Sequence, residues 1–295
     1  MNAISINKII FLILFIIPIR IYAQDFKQYS VFSFKAKYFI FENKTDSAII
    51  IFNQLFSKYG ELHPYDNLDA LKTFASKNDT ATVFMIIKNM IKNGQSLSEI
   101  IDDNTPILAF AKKSKSWESL KFIKPEIDYN ILLEIDKLLE VDQFVRNHDN
   151  DSCIIKFMIE VDSVNCTKVI ELIKKQGFPG FNKLGIYSND ILFLIMHFTT
   201  NSTTEKYWET YFKPLLYSEA IRGNISYSDF AMLTDRFQNY KKGTQIYGFI
   251  RNRTEYVAPI ENIDEVDIRR ANLGLPKLSI DAKMKNIKLP KDYKL

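Results

Sequence analysis

The sequence of 295 residues is poor in the residues that interrupt regular structure, with nine glycines and nine prolines. They fall mainly between segments in which apolar side chains recur every three to four positions. Because that spacing puts apolar side chains on one face of a helix, the sequence predicts a mainly α-helical protein. The sequence also lacks a glycine-rich phosphate loop and a Gly-x-Ser-x-Gly turn, which argues against nucleotide-binding and serine-hydrolase functions.

Cysteine is almost absent, since the chain contains Cys153 and Cys166 alone. An exported protein can join such a pair. We place the two residues on consecutive helices that turn near Asp162, which brings Cys166 opposite residue 158 rather than Cys153. A disulfide needs Cα atoms within about 7 Å. The sequence does not decide whether this disulfide forms, and we expect the fold to depend on its helical core.

Histidine is also scarce, and His63, His148 and His197 show none of the spacings of a metal site. A His-Glu-x-x-His motif is missing as well, although it is the usual sequence signal of a helical zinc site. We therefore predict neither a bound metal nor a cofactor.

The formal net charge of +4 is small. It falls to +2 when Lys8 and Arg20 of the N-terminal segment are removed. A nucleic-acid binder usually presents a concentrated cationic face, so we expect no nucleic-acid partner. Lysines are locally enriched at 279–295, which we interpret as a solvated basic tail.

The first 23 residues have the order of charged, apolar and small residues that is typical of an export signal. Lys8 precedes the apolar run 9–17, and Ala23 stands before a polar segment. A membrane span needs about 20 apolar residues, and Arg20 interrupts the run before that length. We predict a signal peptide over 1–23, no stable membrane anchor after its cleavage, and an exported product in the periplasm or outside the cell.

Residues 24–125 carry consecutive amphipathic segments and form the first predicted unit. Ala70 and Ala75 stand where two helices would approach closely, and Asn93-Gly94 is a typical helix stop. The arrangement is similar to tetratricopeptide-like helical hairpins, although a clean repeat of about 34 residues does not recur. Helical stacks commonly present grooves to other proteins, so we expect a protein partner to bind this helical-repeat-like unit. The predicted helices are 32–41, 46–59, 65–76, 80–92 and 97–103.

The second predicted unit, 126–278, is an α-helical domain. Asn165 is a suitable N-cap for a helix at 167–176, and the nearly all-apolar segment 190–198 predicts a helix buried on every side. Segments 245–250 and 255–258 predict a small β-hairpin. The fold class is therefore mainly α, with repeat-like helical hairpins followed by an α-helical domain that contains this hairpin. The other predicted helices are 129–147, 205–222, 227–240 and a short one within 261–275.

Spaced polar and glycine residues of the second unit recur in a recognisable order. The order is Asp142-Gln143…Arg146, Asp162…Asn165, Gly177-Phe178-Pro179, Gly185, His197, Leu233-Thr234-Asp235-Arg236, Gln245-Ile246-Tyr247-Gly248, Pro259-Ile260 and Val266-Asp267…Arg269-Arg270…Gly274-Leu275. It resembles the bacterial domain-of-unknown-function family 6624 over residues 130–278, about half of the chain. Members of that family often carry helical-repeat material upstream, and the resemblance implies no known activity.

The sequence departs from the pattern of that family in two places. Phe178 stands where tryptophan is usual, which keeps an aromatic ring. Phe249-Ile250 replaces the Thr-Gln pair of the family, so two hydrogen-bonding side chains become apolar. If those polar groups serve chemistry, this copy has lost it.

His197 is the first candidate for acid/base chemistry, because it ends an otherwise apolar helix. The alternative is that its ring packs and hydrogen-bonds to a carbonyl group in the last helical turn, where a cation also suits the helix dipole. Asp235 and Tyr247 are the other catalytic candidates.

Asp235 and Arg236 are adjacent on a predicted helix and point about 100° apart, so both line one narrow pocket only if the helix ends there. A partly buried ion-pair network with Asp142, Arg146 or Arg269 is one interpretation of Asp235-Arg236, and a substrate site is another. Gln245 and Tyr247 alternate on the predicted strand and would share a face. The candidate binding residues are Asp142, Arg146, Arg236, Gln245 and Arg269.

Two functions are consistent with these observations. The first is an exported, non-catalytic binding protein in which the helical-repeat-like unit presents a groove. The second is an acid/base hydrolase acting on an envelope or extracellular substrate, with His197 and Asp235 converging near Tyr247 and Arg236. A concave site in which these side chains lie within about 4–6 Å of one another would favour the second.

Overall fold

The computed structural model describes residues 26–104, 108–147 and 152–294. The predicted signal peptide, 1–23, and His148 lie outside these ranges. Within them the protein is mainly α-helical, as predicted. None of the helices described there is long and apolar enough to cross a bilayer.

The first part of the chain is a series of helices that pack in sequence order. Asp79 begins one of them by accepting a hydrogen bond from the Thr82 N–H (3.1 Å), and Gly94 follows its end with positive φ. Trp117 is buried and stands edge-on to Phe84. The helices are α1 (Phe26–Phe41), α2 (Thr45–Tyr59), α3 (Asn67–Ala75), α4 (Thr80–Lys92) and α5 (Leu97–Asn104), with 3-10 turns at Pro64–Asp66, Ala111–Lys113 and Lys115–Phe122.

The second part begins with α6 (Tyr129–Arg146) and α7 (Ser152–Gln176). The predicted break in α7 is wrong, because one helix continues through Asp162 and Asn165. Asn165 is buried and its amide donates to the Leu138 carbonyl oxygen (3.3 Å), so it joins two helices instead of capping one. Polar residues that suggest a turn remain helical here because neighbouring elements supply their partners.

The continuous α7 also corrects the placement of the two cysteines. Positions 153 and 166 lie on the same helix, where thirteen residues correspond to about 20 Å of rise. A disulfide requires Cα atoms within about 7 Å, so the helix does not allow a bridge within the chain. Cys166 is buried and carries a free thiol.

The central helix of the second part is α9 (Ser188–Thr199), which packs against α6, α7 and α11 (Tyr227–Lys242). Ile191, Leu194 and Ile195 are fully buried at the centre of this domain. The prediction that the helix is buried on every side is wrong, because Phe193 is exposed. The predicted helix 205–222 is divided into a π-helical turn at Trp208–Phe212 and α10 (Lys213–Ile221). Pro214 lies in the first turn of α10 and lacks the N–H of an ordinary helical hydrogen bond. A short helix, α8 (Phe181–Leu184), precedes α9.

The predicted β-hairpin is absent from the described residues, which contain isolated bridges such as Arg251 with Tyr256 but no strand. The reason is that side chains take the backbone donors that a ladder would use. Asp235 accepts from three N–H groups between positions 246 and 249. Gln245 accepts from the Ile250 N–H (2.7 Å). The segment is therefore a loop organised around two buried side chains.

The chain ends with α12 (Val266–Asn272) and α13 (Leu278–Lys285). The segment predicted as a solvated basic tail instead contains most of α13, in which Asp281 and Ala282 are buried. Asp281 is paired with Lys285 (2.7 Å) and Arg251 (3.0 Å). One of the lysines that suggested a tail, Lys285, is thus neutralised by a buried carboxylate inside the fold.

The two parts of the chain meet closely around Gly185. Its φ of +54° is in the region that favours glycine, and a side chain there would overlap the Asn93 carbonyl oxygen. That oxygen accepts from the Ile186 N–H (3.0 Å). A second link joins the Glu126 N–H to the Lys92 carbonyl oxygen (2.7 Å). The helical hairpins are therefore tied by backbone bonds to the domain that follows.

Candidate functional site

His197 and Asp142 form a hydrogen-bonded pair between α9 and α6. The His197 Nδ1 atom lies 2.9 Å from Asp142 Oδ2 and 3.1 Å from Oδ1. The ring stands edge-on to Phe193, one turn earlier in the helix. Among the described residues, the Nε2 atom of His197 has no hydrogen-bond partner. A carboxylate that holds one imidazole nitrogen fixes the orientation of the ring and leaves the other nitrogen for proton transfer.

Arg146 joins this pair to a second buried carboxylate. Its guanidinium donates to Asp142 Oδ1 (2.7 Å) and to Asp162 Oδ1 (2.8 Å). The Asn201 amide donates to Asp162 Oδ2 (3.1 Å). Buried carboxylates are stable only when charges and hydrogen bonds compensate them. The cluster of Asp142, Arg146, Asp162 and His197 is a closed network that joins three parts of the second domain.

Asp235 has a different set of partners. It is fully buried, and its carboxylate accepts from the backbone N–H groups of Ile246 (2.6 Å), Tyr247 (2.8 Å) and Phe249 (2.8 Å). Burial raises the pKa of Asp235, against the three backbone donors and the charge of Arg270, which lower it. His197 and Asp235 share no hydrogen-bond partner among the described residues, so they belong to separate networks, and their convergence stays a prediction.

Arg269 and Arg270, on α12, hold the loop around Asp235 from the other side. Arg269 donates through Nε to the Ile246 carbonyl (3.1 Å), and Arg270, which is buried, donates to the Tyr247 carbonyl (2.6 Å). The Gln245 amide donates to the Ile250 carbonyl (3.1 Å). These side chains position backbone, so Gln245 and Arg269 are occupied by the fold.

The remaining two sequence candidates lie at the edges of that loop. Arg236 is exposed and has no ion pair among the described residues. Tyr247 is partly buried, and burial together with the charge of Asp235 raises the pKa of its phenol. The structure therefore brings Tyr247 and Gln245 together with Asp235, and Asp142 and Arg146 together with His197.

A third polar cluster, centred on Asp66, was not identified from the sequence. The Asp66 carboxylate accepts from the Tyr29 hydroxyl (2.8 Å) and the Ser33 hydroxyl (2.8 Å), and it pairs with Lys37 (2.6 Å). Burial alone would raise the pKa of Asp66, but the charge and hydrogen bond of Lys37 hold it below its usual value. The sequence signal was the row Tyr29, Ser33 and Lys37, at four-residue spacing on the aromatic-rich helix α1.

This cluster lines a pocket between the first helices and the second domain. The pocket has a volume of about 150 Å³. Burial lowers the pKa of His63, on its wall, to about 4, so that residue is neutral at physiological pH. The buried Nε2 atom of His63 has no hydrogen-bond partner among the described residues. The lining comprises Phe26, Tyr29, Ser30, Ser33, Phe34, Lys37, His63, Tyr65, Asp66, Ala220, Ile225, Ser226, Tyr227, Ser228 and Asp229.

A wider apolar groove of about 540 Å³ adjoins this pocket and shares Tyr65 and Asp229 with it. Asp190 also lines the groove, and burial raises the pKa of this carboxyl. The apolar lining residues are Leu192, Phe193, Met196 and Met232. The pocket and the groove together form a concave surface with apolar walls and a few polar groups, which is typical of small-molecule sites.

In the ranges that the structure describes, histidine, cysteine, aspartate and glutamate residues form no group of three or more suited to a metal ion. The described chain is thus a mainly α-helical protein in which helical hairpins precede a domain with a buried Asp–His–Arg cluster. The sequence model of a protein family described as a family of unknown function, DUF6624, matches residues 129–289. The match covers more than half of the chain, which belongs to this family, as the resemblance predicted. No curated protein and no solved structure matches the chain.

Proposed function

We propose that this protein is an exported, non-catalytic binding protein whose ligand occupies the pocket between the first helices and the family domain. The observation that carries this proposal is the pocket itself, which combines buried polar groups with aromatic walls. The absence of a hydrogen-bond partner for His63 Nε2 among the described residues supports it, because buried polar groups usually have one.

The polar side chains suggested by the sequence also support a binding function. Asp235, Gln245 and Arg269 each hold backbone atoms of one loop, so their hydrogen bonds already stabilise the fold. The N-terminal helices would act as a tetratricopeptide-like unit that also accepts a protein partner. Export rests on the charged, apolar and small residues of the first 23 positions.

The test asks whether the purified protein retains a bound small molecule, and whether a substitution that fills the pocket abolishes this retention. The full chain is produced in a bacterial host, recovered from the exported fraction, and analysed by native mass spectrometry for bound small molecules. Ser228→Phe should fill the pocket and abolish retention. Ser98→Phe is a matched control, because Ser98 has the same second position in α5 that Ser228 has in α11 and is exposed.

Three outcomes would contradict the proposal. They are a chain that stays in the cytoplasm with its first 23 residues present, a purified protein that retains no small molecule, and retention that survives Ser228→Phe. Circular dichroism of both variants checks that the introduced ring has not unfolded the protein.

The His197–Asp142 pair supports a second candidate, an acid/base hydrolase of an envelope or extracellular substrate. Asp142 orients the His197 ring, which is the role that the sequence had suggested for Asp235. His197→Gln should abolish turnover of such a substrate, whereas Arg236→Gln, at an exposed position, should not. Equal activity in both variants would exclude this chemistry.

A further inference from the structure

We propose that the pocket between α1 and α11 binds an organic ammonium group, a primary or quaternary amine head, with Asp229 as its counter-ion. This inference rests on the binding function proposed above and adds the chemical class of the ligand. Three observations carry this inference: the charge balance of the pocket, the free oxygen atom of one carboxylate, and the aromatic rings that line the pocket.

The charges that line the pocket do not balance. Lys37 is the cation of the lining, and Asp66 and Asp229 are the anions. Lys37 lies 2.6 Å from Asp66, whose carboxylate is further satisfied by two hydroxyl groups. Because His63 is neutral, the pocket retains one negative charge. A singly charged cation would neutralise it.

Asp229 is the carboxylate with a free oxygen. Its Oδ2 atom accepts from the Ser226 N–H (3.1 Å) and the Ser226 hydroxyl (2.7 Å), as part of the capping box that begins α11. Among the described residues, its Oδ1 atom has no hydrogen bond and the side chain has no ion pair. Burial raises the pKa of Asp229. The residue is partly buried, and a charge that is shielded from water is costly unless it is paired, so a bound cation would relieve this cost.

Aromatic rings supply the other half of ammonium recognition. Phe26, Tyr29, Phe34, Tyr65 and Tyr227 line the same pocket. The faces of such rings attract cations, and quaternary ammonium groups are recognised in cages of aromatic side chains. A cavity of about 150 Å³ accommodates a ligand as large as benzene, which is comparable to a trimethylammonium head. The shape, the walls and the net charge of the pocket therefore agree.

The test compares a cation with a neutral molecule of the same shape. Choline and 3,3-dimethylbutan-1-ol are titrated separately into the full chain by isothermal calorimetry. Choline should bind at least about tenfold more tightly, since cation–π contacts and an ion pair act on the charged molecule alone. Asp229→Asn should remove at least about tenfold of the choline affinity and leave the binding of the alcohol unchanged.

Glu99→Gln is the matched control for Asp229→Asn. Glu99 also occupies the third position of a helix, α5, and accepts from the N–H of its N-cap residue, Ser96 (2.9 Å), but it does not line the pocket. Both substitutions therefore alter a capping carboxylate. Equal loss of choline binding in the two variants would show that the cap, and not the counter-ion, is responsible.

The remaining outcomes separate this inference from the binding function. If the alcohol binds as well as choline, or if inorganic phosphate binds in place of either, ammonium recognition is overturned. If neither probe binds while the exported protein retains a different small molecule that Ser228→Phe displaces, the ammonium assignment fails and the binding function stands. If nothing is retained and nothing binds, both are overturned.

Discussion

The carbonyl oxygen of Asn93 occupies the space in which a side chain at Gly185 would begin. The glycine also has a φ of +54° with a ψ of −121°, a combination that side chains rarely allow. Position 185 therefore requires glycine for two reasons, its own backbone conformation and the helical hairpins that pack against it.

Gly185→Ala should destabilise the protein by at least about 2 kcal/mol, because backbone strain and a steric overlap act together. Gly243→Ala is the control, since Gly243 is left-handed (φ +68°) with open space around it, and it should cost about 1 kcal/mol. Denaturant unfolding of both variants measures the difference. Equal losses would show that the contact with Asn93 has no energetic consequence.

Asp235→Ala should destabilise the protein by about 3–5 kcal/mol, because it leaves three backbone N–H groups without their acceptor. Arg236→Ala alters the neighbouring exposed residue and should change the free energy of unfolding by less than about 0.5 kcal/mol. Hydrogen exchange at residues 246–249 should increase in the first variant only. Unchanged protection there would contradict the role of Asp235 as the acceptor for this loop.

Stability should fall as the pH decreases from about 6.5 to about 4, in part because of His63. Burial lowers its pKa in the folded protein to about 4, whereas the unfolded value is about 6.5. Between these values the unfolded chain binds more protons than the folded protein, so the stability of the folded protein rises with pH. The contribution of His63 to that stability is fully present above the unfolded pKa. The contribution lost on going from pH 7.5 to pH 4.5 is roughly 2–3 kcal/mol.

His63→Phe tests this dependence while keeping an aromatic ring between Tyr29 and Phe181. The variant should lose less free energy of unfolding than the natural protein between pH 7.5 and pH 4.5, measured in denaturant at both values. Identical losses would mean that His63 is protonated in the folded state over the same range as in the unfolded chain.

Cys166 should be unreactive in the folded protein. The residue is fully buried, and burial raises the pKa of its thiol to about 12, so the nucleophilic thiolate is scarce at neutral pH. In a Cys153→Ser background, alkylation should be on the order of a hundredfold slower in the native state than in denaturant. In the natural chain, peptide mapping without reductant should find no Cys153–Cys166 bridge, and a bridge would contradict the continuous helix α7.

Local signals in the sequence were sufficient for most helices. The helix Thr80–Lys92 was predicted with its observed bounds, and Asn93-Gly94 marked its end; the structure adds Asp79 as the cap at its start. The predictions failed where distant partners decide the structure. Asp162 looks like a turn residue until Arg146 and Asn201 pair with it, and Gln245 looks like a strand residue until it binds the backbone of its own loop.

The candidate sites show the same limit. His197, Asp142 and Arg146 could be named individually from the sequence, but their pairing depends on how α6 and α9 pack. The pocket could not be predicted, because Asp66 and Asp229 come from distant parts of the chain and no local spacing relates them. The only local sign was a set of three polar residues on one face of α1.

The loop around Asp235 holds the two residues that follow Gly248 through their backbone. Phe249 and Ile250 stand where the family pattern has threonine and glutamine, yet each is held through its backbone N–H, by Asp235 and by Gln245. Every amino acid other than proline carries that group. A substitution other than proline at these two positions therefore leaves the backbone anchors of the loop in place. What it changes is the set of side-chain contacts, such as those of the Phe249 ring with Arg251 and Arg270.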